Sequence, residues 1–118
     1  MHELGIVFHI IKEVKQVAEE NGCMLISKVS LNIGEVSTVV PYYLEDCWKW
    51  AVDKEDMMRG CVLEINTIDA LTHCEGCGRD YPTIKYGKTC PHCGSTQTWL
   101  LRGNEVEIKE IEVKSIVR

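Results

Sequence analysis

The stretch CEGCGRDYPTIKYGKTCPHCG, residues 74–94, decides how the chain is organised. It contains two C-x2-C pairs, Cys74/Cys77 and Cys90/Cys93, with twelve residues between them. Two residues between paired cysteines let both sulfurs point at one ion, and the doubled pattern is typical of a metal site. Four thiolates in tetrahedral geometry suit zinc with every coordination position filled. The stretch therefore predicts a structural zinc site, which stabilises a segment too poor in aliphatic residues to form an apolar core of its own.

Two kinds of protein with this cysteine spacing are alternatives to a purely structural zinc site. A rubredoxin-like redox carrier holds iron with the same thiolates, but it is a free-standing domain, whereas this stretch lies between predicted strands. A zinc-ribbon module that binds proteins or nucleic acid is the second alternative. Residues 74–103 contain four basic and two acidic side chains, and four thiolates on zinc add a net charge of about −2. The segment is then close to neutral and lacks the basic surface typical of nucleic-acid binding.

Composition narrows the class of the whole chain. At 118 residues, with 45% hydrophobic and 26% charged residues, it predicts one small globular unit with an insert. The net charge of −5 disfavours broad phosphate neutralisation. No apolar run approaches the roughly 20 residues that span a bilayer, and no basic leader precedes the apolar residues, so we expect a cytoplasmic protein. Seven cysteines, an odd number, disfavour a closed disulfide framework.

An α+β fold is predicted outside the cysteine stretch. Apolar residues recur with helical spacing in two segments, and Pro41 fits the first turn of the second helix. Three further segments alternate in hydrophobicity as half-buried strands do. The predicted helices are 4–21 and 37–57, and the predicted strands are 26–34, 61–69 and 105–114, with a bulge near Lys109. We expect two helices packed on a three-stranded sheet, with a zinc-ribbon-like subdomain inserted before the last strand, which should pair with both others.

Two domains follow from this arrangement. A discontinuous α/β domain should comprise residues 1–70 and 104–118, and the zinc-binding insert should comprise residues 71–103. No glycine-rich phosphate loop and no pair of nucleophile and base is apparent, so no catalytic residue is predicted. The remaining single cysteines and a histidine are assigned to core or surface: Cys47 and Cys61 buried, Cys23 exposed in a loop, and His9 exposed on the first helix.

Two histidines lie beside the metal motif. His73 precedes Cys74, and His92 lies inside the second cysteine pair. Both are interpreted as exposed polar residues near a turn. The alternative is that they modulate the zinc site, since histidine alone titrates near neutral pH without perturbation.

The sequence begins Met-His-Glu, directly ahead of the first helix. The terminal amine of Met1, the backbone nitrogen of His2 and its imidazole can wrap one metal in fused chelate rings. Planar nitrogen donors are diagnostic for Ni(II) or Cu(II), the ions that readily displace an amide proton. The Glu3 amide or a partner group could complete the plane, and the Glu3 carboxylate would offset the positive end of the helix. The alternative is a histidine without a role and an ordinary acid in the first turn of the helix.

Taken together, these features resemble the HypA family of nickel-insertion proteins. The resemblance rests on MHEL at the start, on VSLNIGEVSTVVPYYLEDCWKWAV and on the double cysteine motif, and it covers essentially the whole chain. It implies a metallochaperone for [NiFe]-hydrogenase maturation and not an enzyme. Whether the target is a hydrogenase, a urease or both is left open by the sequence. It implies nickel as cargo at His2, with Met1 and Glu3 beside it, and structural zinc at the four paired cysteines. The implied partners are a nickel-handling GTPase or ATPase and the hydrogenase large-subunit precursor, bound by a monomer or homodimer.

Overall fold

The structure, a computed structural model, describes residues 2–22 and 25–114. Met1 and Cys23 therefore lie outside the described residues. The helices are α1 (Glu3–Glu20), α2 (Pro41–Val52) and α3 (Thr83–Tyr86), with a 3-10 turn at Asp56–Met58. The strands are β1 (Leu25–Gly34), β2 (Val62–Ile68), β3 (Leu71–Cys74), β4 (Asp80–Pro82), β5 (Thr98–Arg102) and β6 (Val106–Lys114). Among the described helices, none is long and apolar enough to cross a membrane.

The predicted α+β fold is confirmed, with one correction to the pairing of the last strand. β1, β2 and β6 form a three-stranded sheet in the order β2-β1-β6, so β1 is central. Within the described residues, β6 neighbours β1 and not β2, although pairing with both was expected. Lys28 on β1 lies between Glu64 of β2 (3.4 Å) and Glu112 of β6 (3.2 Å). This cross-strand ladder of opposite charges favours the observed alignment of the three strands.

The two long helices bury one stripe each, as their sequences predict. Trp48 of α2 is a central core residue, and its indole Nε1–H donates to the Cys61 carbonyl at 3.0 Å. Val17, an apolar residue three positions after Val14, is 46% exposed because it lies at the edge of that stripe. The buried residues of the helices are Val7, Ile10, Ile11, Val14 and Ala18 on α1, and Leu44, Trp48, Ala51 and Val52 on α2.

The single cysteines and His9 differ in burial. Cys61 is buried, and desolvation by that burial raises the pKa of its thiol to about 11. Cys47 is only half-buried, so the prediction that it is buried in the core is wrong. The His9 side chain is 69% exposed, as predicted.

The cysteine segment forms a second small sheet, which the sequence did not predict. Its strand order is β4-β3-β5, and both neighbours are antiparallel to β3. Contacts divide the chain into two compact units. The first holds Met1–Leu31, Val39–Asn66 and Glu107–Arg118, and the second holds Asn32–Thr38 and Thr67–Val106. Residues 32–38 thus belong with the second unit, and the predicted domain bounds and the bulge near Lys109 stay predictions.

Candidate metal centres

The four paired cysteines converge on one point of the second unit. Their sulfur atoms all lie within 4.8 Å of one another. The Cys74 and Cys93 sulfurs are 3.5 Å apart, and those of Cys77 and Cys90 are 3.7 Å apart. Bonds of about 2.3 Å to a tetrahedral zinc ion require sulfur–sulfur distances of about 3.8 Å. The donor set therefore fits zinc in both chemistry and spacing.

Each cysteine pair is folded by the same backbone hydrogen bonds. In the first pair, the Cys74 N–H donates to the Arg79 carbonyl at 2.9 Å and the Gly78 N–H to the Cys74 carbonyl at 2.8 Å. In the second pair, Cys90 and Gly94 repeat this pattern with the same sequence offsets, at 3.0 Å and 2.9 Å. Gly78 and Gly94 have φ values of +74° and +76°, where glycine has no steric cost. The repeated loop explains why a glycine follows each pair.

Backbone amides also point at the sulfurs. The His92 N–H donates to the Cys90 sulfur at 3.4 Å. Desolvation by burial raises the pKa of Cys90, but amide and thiol hydrogen bonds outweigh it and lower the pKa to about 7. The Ser95 N–H lowers the pKa of Cys93, but hydrogen bonds with the other thiols and burial raise it to about 12. Since sulfurs this close cannot all be ionised alone, four thiolates at this point need a cation.

Aromatic and polar residues support the cluster. Tyr81 is 1% exposed and shares a small core with Cys74 and Cys90. Its hydroxyl donates to the Gly87 carbonyl at 2.9 Å, which ties β4 to the end of α3. Nothing in the spacing of Tyr81 marked it as a core residue, because β4 has only three residues.

The two histidines of the segment differ in their contacts. The His73 Nδ1 lies 2.7 Å from Asp80 Oδ1, and its ring lies against Trp99 with centroids 5.3 Å apart. The ring is thus held on the face of β3 opposite the Cys74 side chain, because successive residues of a strand alternate. His92 is exposed.

At the other end of the chain, His2 is exposed and is the N-cap residue of α1. Its backbone is extended (φ −83°, ψ 90°), and within the described residues its side chain makes no capping hydrogen bond. The carbonyl of His2 accepts the Ile6 N–H at 3.2 Å. The imidazole is therefore presented to solvent by a residue whose carbonyl is fixed by the helix.

Glu3 contacts the start of the second helix. Its Oε2 accepts the backbone N–H of Val40, the N-cap residue of α2, at 3.2 Å. This bond, followed by a hydrogen bond from the Glu3 backbone N–H, lowers the pKa of the Glu3 carboxyl. The contact joins residues 37 positions apart, and no local sequence pattern predicts it.

Comparison with known proteins identifies the family. The model of the family described as "Hydrogenase/urease nickel incorporation, metallochaperone, hypA" matches residues 1–113. The chain belongs to the HypA family. It is accordingly a metallochaperone of hydrogenase maturation and nickel incorporation, and not an enzyme.

Curated relatives cover nearly the whole chain. The hydrogenase maturation factor HypA of Trichodesmium erythraeum is 35% identical over 116 residues, 98% of each chain. That of Dehalococcoides mccartyi is 34% identical over 113 residues, 96% of this chain and 94% of the relative. HybF of Klebsiella pneumoniae is 29% identical over 112 residues, 95% of this chain and 98% of the relative.

Solved structures of HypA proteins share the fold. The solution structure of the nickel metallochaperone HypA from Helicobacter pylori aligns with a TM-score of 0.73 at 21% identity and covers 98% of this chain and all of the other. A second HypA solution structure gives a TM-score of 0.75 at 22% identity, with 98% of each chain covered. At these identities the likeness concerns the fold alone.

Proposed function

We propose that the chain carries Ni(II) at its N-terminus and delivers it to a [NiFe]-hydrogenase large-subunit precursor, with urease as a second target. The observation that carries this proposal is the exposed His2 at the N-cap of α1, in a chain of the nickel-incorporation family. The ligands would be the Met1 amine, the His2 amide nitrogen and the His2 imidazole. The N–H of an N-cap residue lies outside the helical hydrogen bonding, so it can be replaced without breaking the helix.

The Glu3 carboxylate supports a cation at this position. A helix N-terminus carries a partial positive charge, which disfavours a metal ion beside it. Glu3 lies in the first turn of α1 and also accepts the amide at the start of α2, so its negative charge faces two helix N-termini. Because one carboxylate oxygen is engaged with Val40, we assign Glu3 to the surroundings of nickel and leave the fourth position for its amide nitrogen or a receiving partner.

The four-cysteine cluster is proposed to bind one structural zinc ion. Four thiolates fill every position, so this metal would have no open site for cargo. The zinc would order residues 71–103 as an insert in the discontinuous domain formed by residues 1–70 and 104–118. Its effect on nickel is expected to be indirect.

Delivery requires partner proteins. Within the described residues, no phosphate-binding loop is present, so nucleotide hydrolysis would come from a nickel-handling GTPase or ATPase. A cytoplasmic site of action fits a factor that works on an unfinished metalloenzyme. The chain would act there as a monomer or homodimer.

His2→Ala tests this proposal. It removes the imidazole from the chelate and should abolish tight stoichiometric nickel binding in calorimetry, while zinc content and melting temperature stay unchanged because His2 is exposed. Adding one residue before Met1 converts the terminal amine into an amide and should impair transfer to the precursor. His92→Ala is the matched control, since it removes another exposed histidine. Unchanged nickel affinity in His2→Ala would contradict the terminal site.

A further inference from the structure

A histidine–glutamate pair on α1 presents two metal-binding atoms to solvent. The His9 Nε2 lies 3.0 Å from the Glu13 Oε1, one helical turn away. The two side chains are 69% and 51% exposed, so a hydrated ion can reach both atoms. Imidazole nitrogen and carboxylate oxygen are ordinary donors for divalent first-row metals.

The spacing of these two atoms suits an octahedral ion. Bonds from nitrogen and oxygen to such ions are about 2.1 Å long. Two ligand atoms whose bonds to the metal form a right angle are therefore about 3.0 Å apart. The Nε2–Oε1 distance is the same as this edge. The ion would therefore replace the shared hydrogen bond with little movement of either side chain, once Nε2 has released its proton.

The pair also lies near the start of α1. His9 follows His2 by seven residues, which is about two helical turns and about 10 Å along the axis. An ion held by the pair is within a short diffusive step of the terminal chelate.

We propose that His9 and Glu13 form a second, weaker nickel site, which holds octahedral Ni(II) and feeds it to the N-terminus. Two of the six waters of the ion give way to Nε2 and Oε1, and four remain. At the terminus the ion exchanges the pair and its waters for planar nitrogen donors, and the protons of the Met1 ammonium and the His2 amide pass to solvent. The pair itself is independent of the terminal site, whereas its loading role rests on the proposed function.

Nickel spin state separates the two sites. Octahedral Ni(II) is paramagnetic and broadens nearby proton resonances, whereas planar Ni(II) is diamagnetic. In zinc-loaded His2→Ala protein, one equivalent of nickel chloride should broaden the His9 ring resonances more than those of His73 and His92. Glu13→Gln in that background should weaken the effect by about tenfold or more, because it removes the anionic donor.

Glu20→Gln is the matched control, because Glu20 also forms an exposed pair one turn apart, with Gln16 at 3.3 Å. It should leave the broadening unchanged. Equal broadening of all histidines, or no effect of Glu13→Gln, would overturn the site. In the chain with His2 intact, His9→Ala should slow the appearance of planar nickel by at least about twofold without lowering its final amount. An unchanged rate would overturn the loading role. Loss of planar nickel in the His2→Ala protein tests the terminal chelate and not the His9–Glu13 site.

Discussion

The Glu3 carboxylate accepts the backbone N–H of Val40 at 3.2 Å and so joins the first turn of α1 to the start of α2. In a capping box, a glutamate at the third position of a helix reaches back to the N-cap amide. The third residue of α2 is Tyr43, which offers no carboxylate. Glu3 supplies this cap from another helix, and it does so beside the residue proposed to bind nickel.

Glu3→Ala should therefore lower the melting temperature and loosen the N-terminus of α2, because the Val40 amide loses its acceptor. Nickel binding should persist, with weaker affinity, since the chelating nitrogens remain and only the compensating charge is lost. Amide exchange at Val40 and nickel calorimetry measure the two effects. Glu20→Ala, which removes an exposed carboxylate elsewhere on α1, is the control for stability. Slow exchange at Val40 in Glu3→Ala would show that the cap is unimportant.

The Glu64 carboxyl on β2 should titrate below its ordinary pKa of 4.5, because the Ser30 hydroxyl donates to it and Lys28 lies beside it. A lowered pKa in the folded state adds stability above pH 4.5, and this contribution is lost as the pH falls through the lowered value. Carbon NMR of the Glu64 carboxyl measures the midpoint. Ser30→Ala should raise that midpoint, and no change would contradict the assigned cause.

Removal of the proposed zinc ion should unfold the second unit and spare the first. Cys74→Ala leaves three thiolates and an incomplete site, so amide protection over residues 67–106 should be lost, because structural zinc supplies much of the folding free energy of such segments. The protection of α1 and α2 should remain, since their buried residues form a core of their own. Cys47→Ala, a half-buried cysteine outside the cluster, is the control and should keep one zinc per chain.

Part of this architecture was readable from the sequence. The periodicity of α1 and β1 is unambiguous because both elements are long, so both were predicted. The four-cysteine cluster was predicted because the spacing of its cysteines is a local signal. The second helix was predicted at 37–57 but spans Pro41–Val52. Thr38 has a φ of +68°, which no helix permits, and a 3-10 turn follows the end of α2.

The second sheet, formed by β3, β4 and β5, was not predicted, and the reason is physical. Its strands have three to five residues, too few to show alternation, and they form around a metal-binding cluster and not around an apolar core. Tertiary contacts such as Glu3–Val40 and Lys28–Glu112 likewise have no local signature. The exposure of Val17 and Cys47 shows that periodicity locates a helical face but not its edge.

Trp48→Phe should destabilise the first unit by about 2–3 kcal/mol, because it leaves the buried Cys61 carbonyl without its donor and opens a cavity. Urea unfolding followed by circular dichroism measures the loss. Trp50 lies two residues further along the same helix and is 52% exposed. Trp50→Phe should change the free energy of unfolding by less than about 0.5 kcal/mol. Equal effects of the two variants would contradict the assigned burial.

Gly103→Ala should strongly destabilise the second unit. A Cβ at Gly103 would lie 2.4 Å from the Cβ and 2.5 Å from the Cα of Ala70, and the φ of +122° is one that side chains rarely adopt. Backbone strain and overpacking each cost about 1–3 kcal/mol, so a loss of about 2–5 kcal/mol is expected. Gly87 also has a positive φ, +64°, but among the described residues other than Gly87 and its chain neighbours, no atom lies within 4 Å of the position that its added methyl group would take. Gly87→Ala should consequently cost only about 1–2 kcal/mol. Amide exchange at Tyr81, which lies in the core of this unit, compares the two variants, and similar protection in both would show that the contact with Ala70 is not tight.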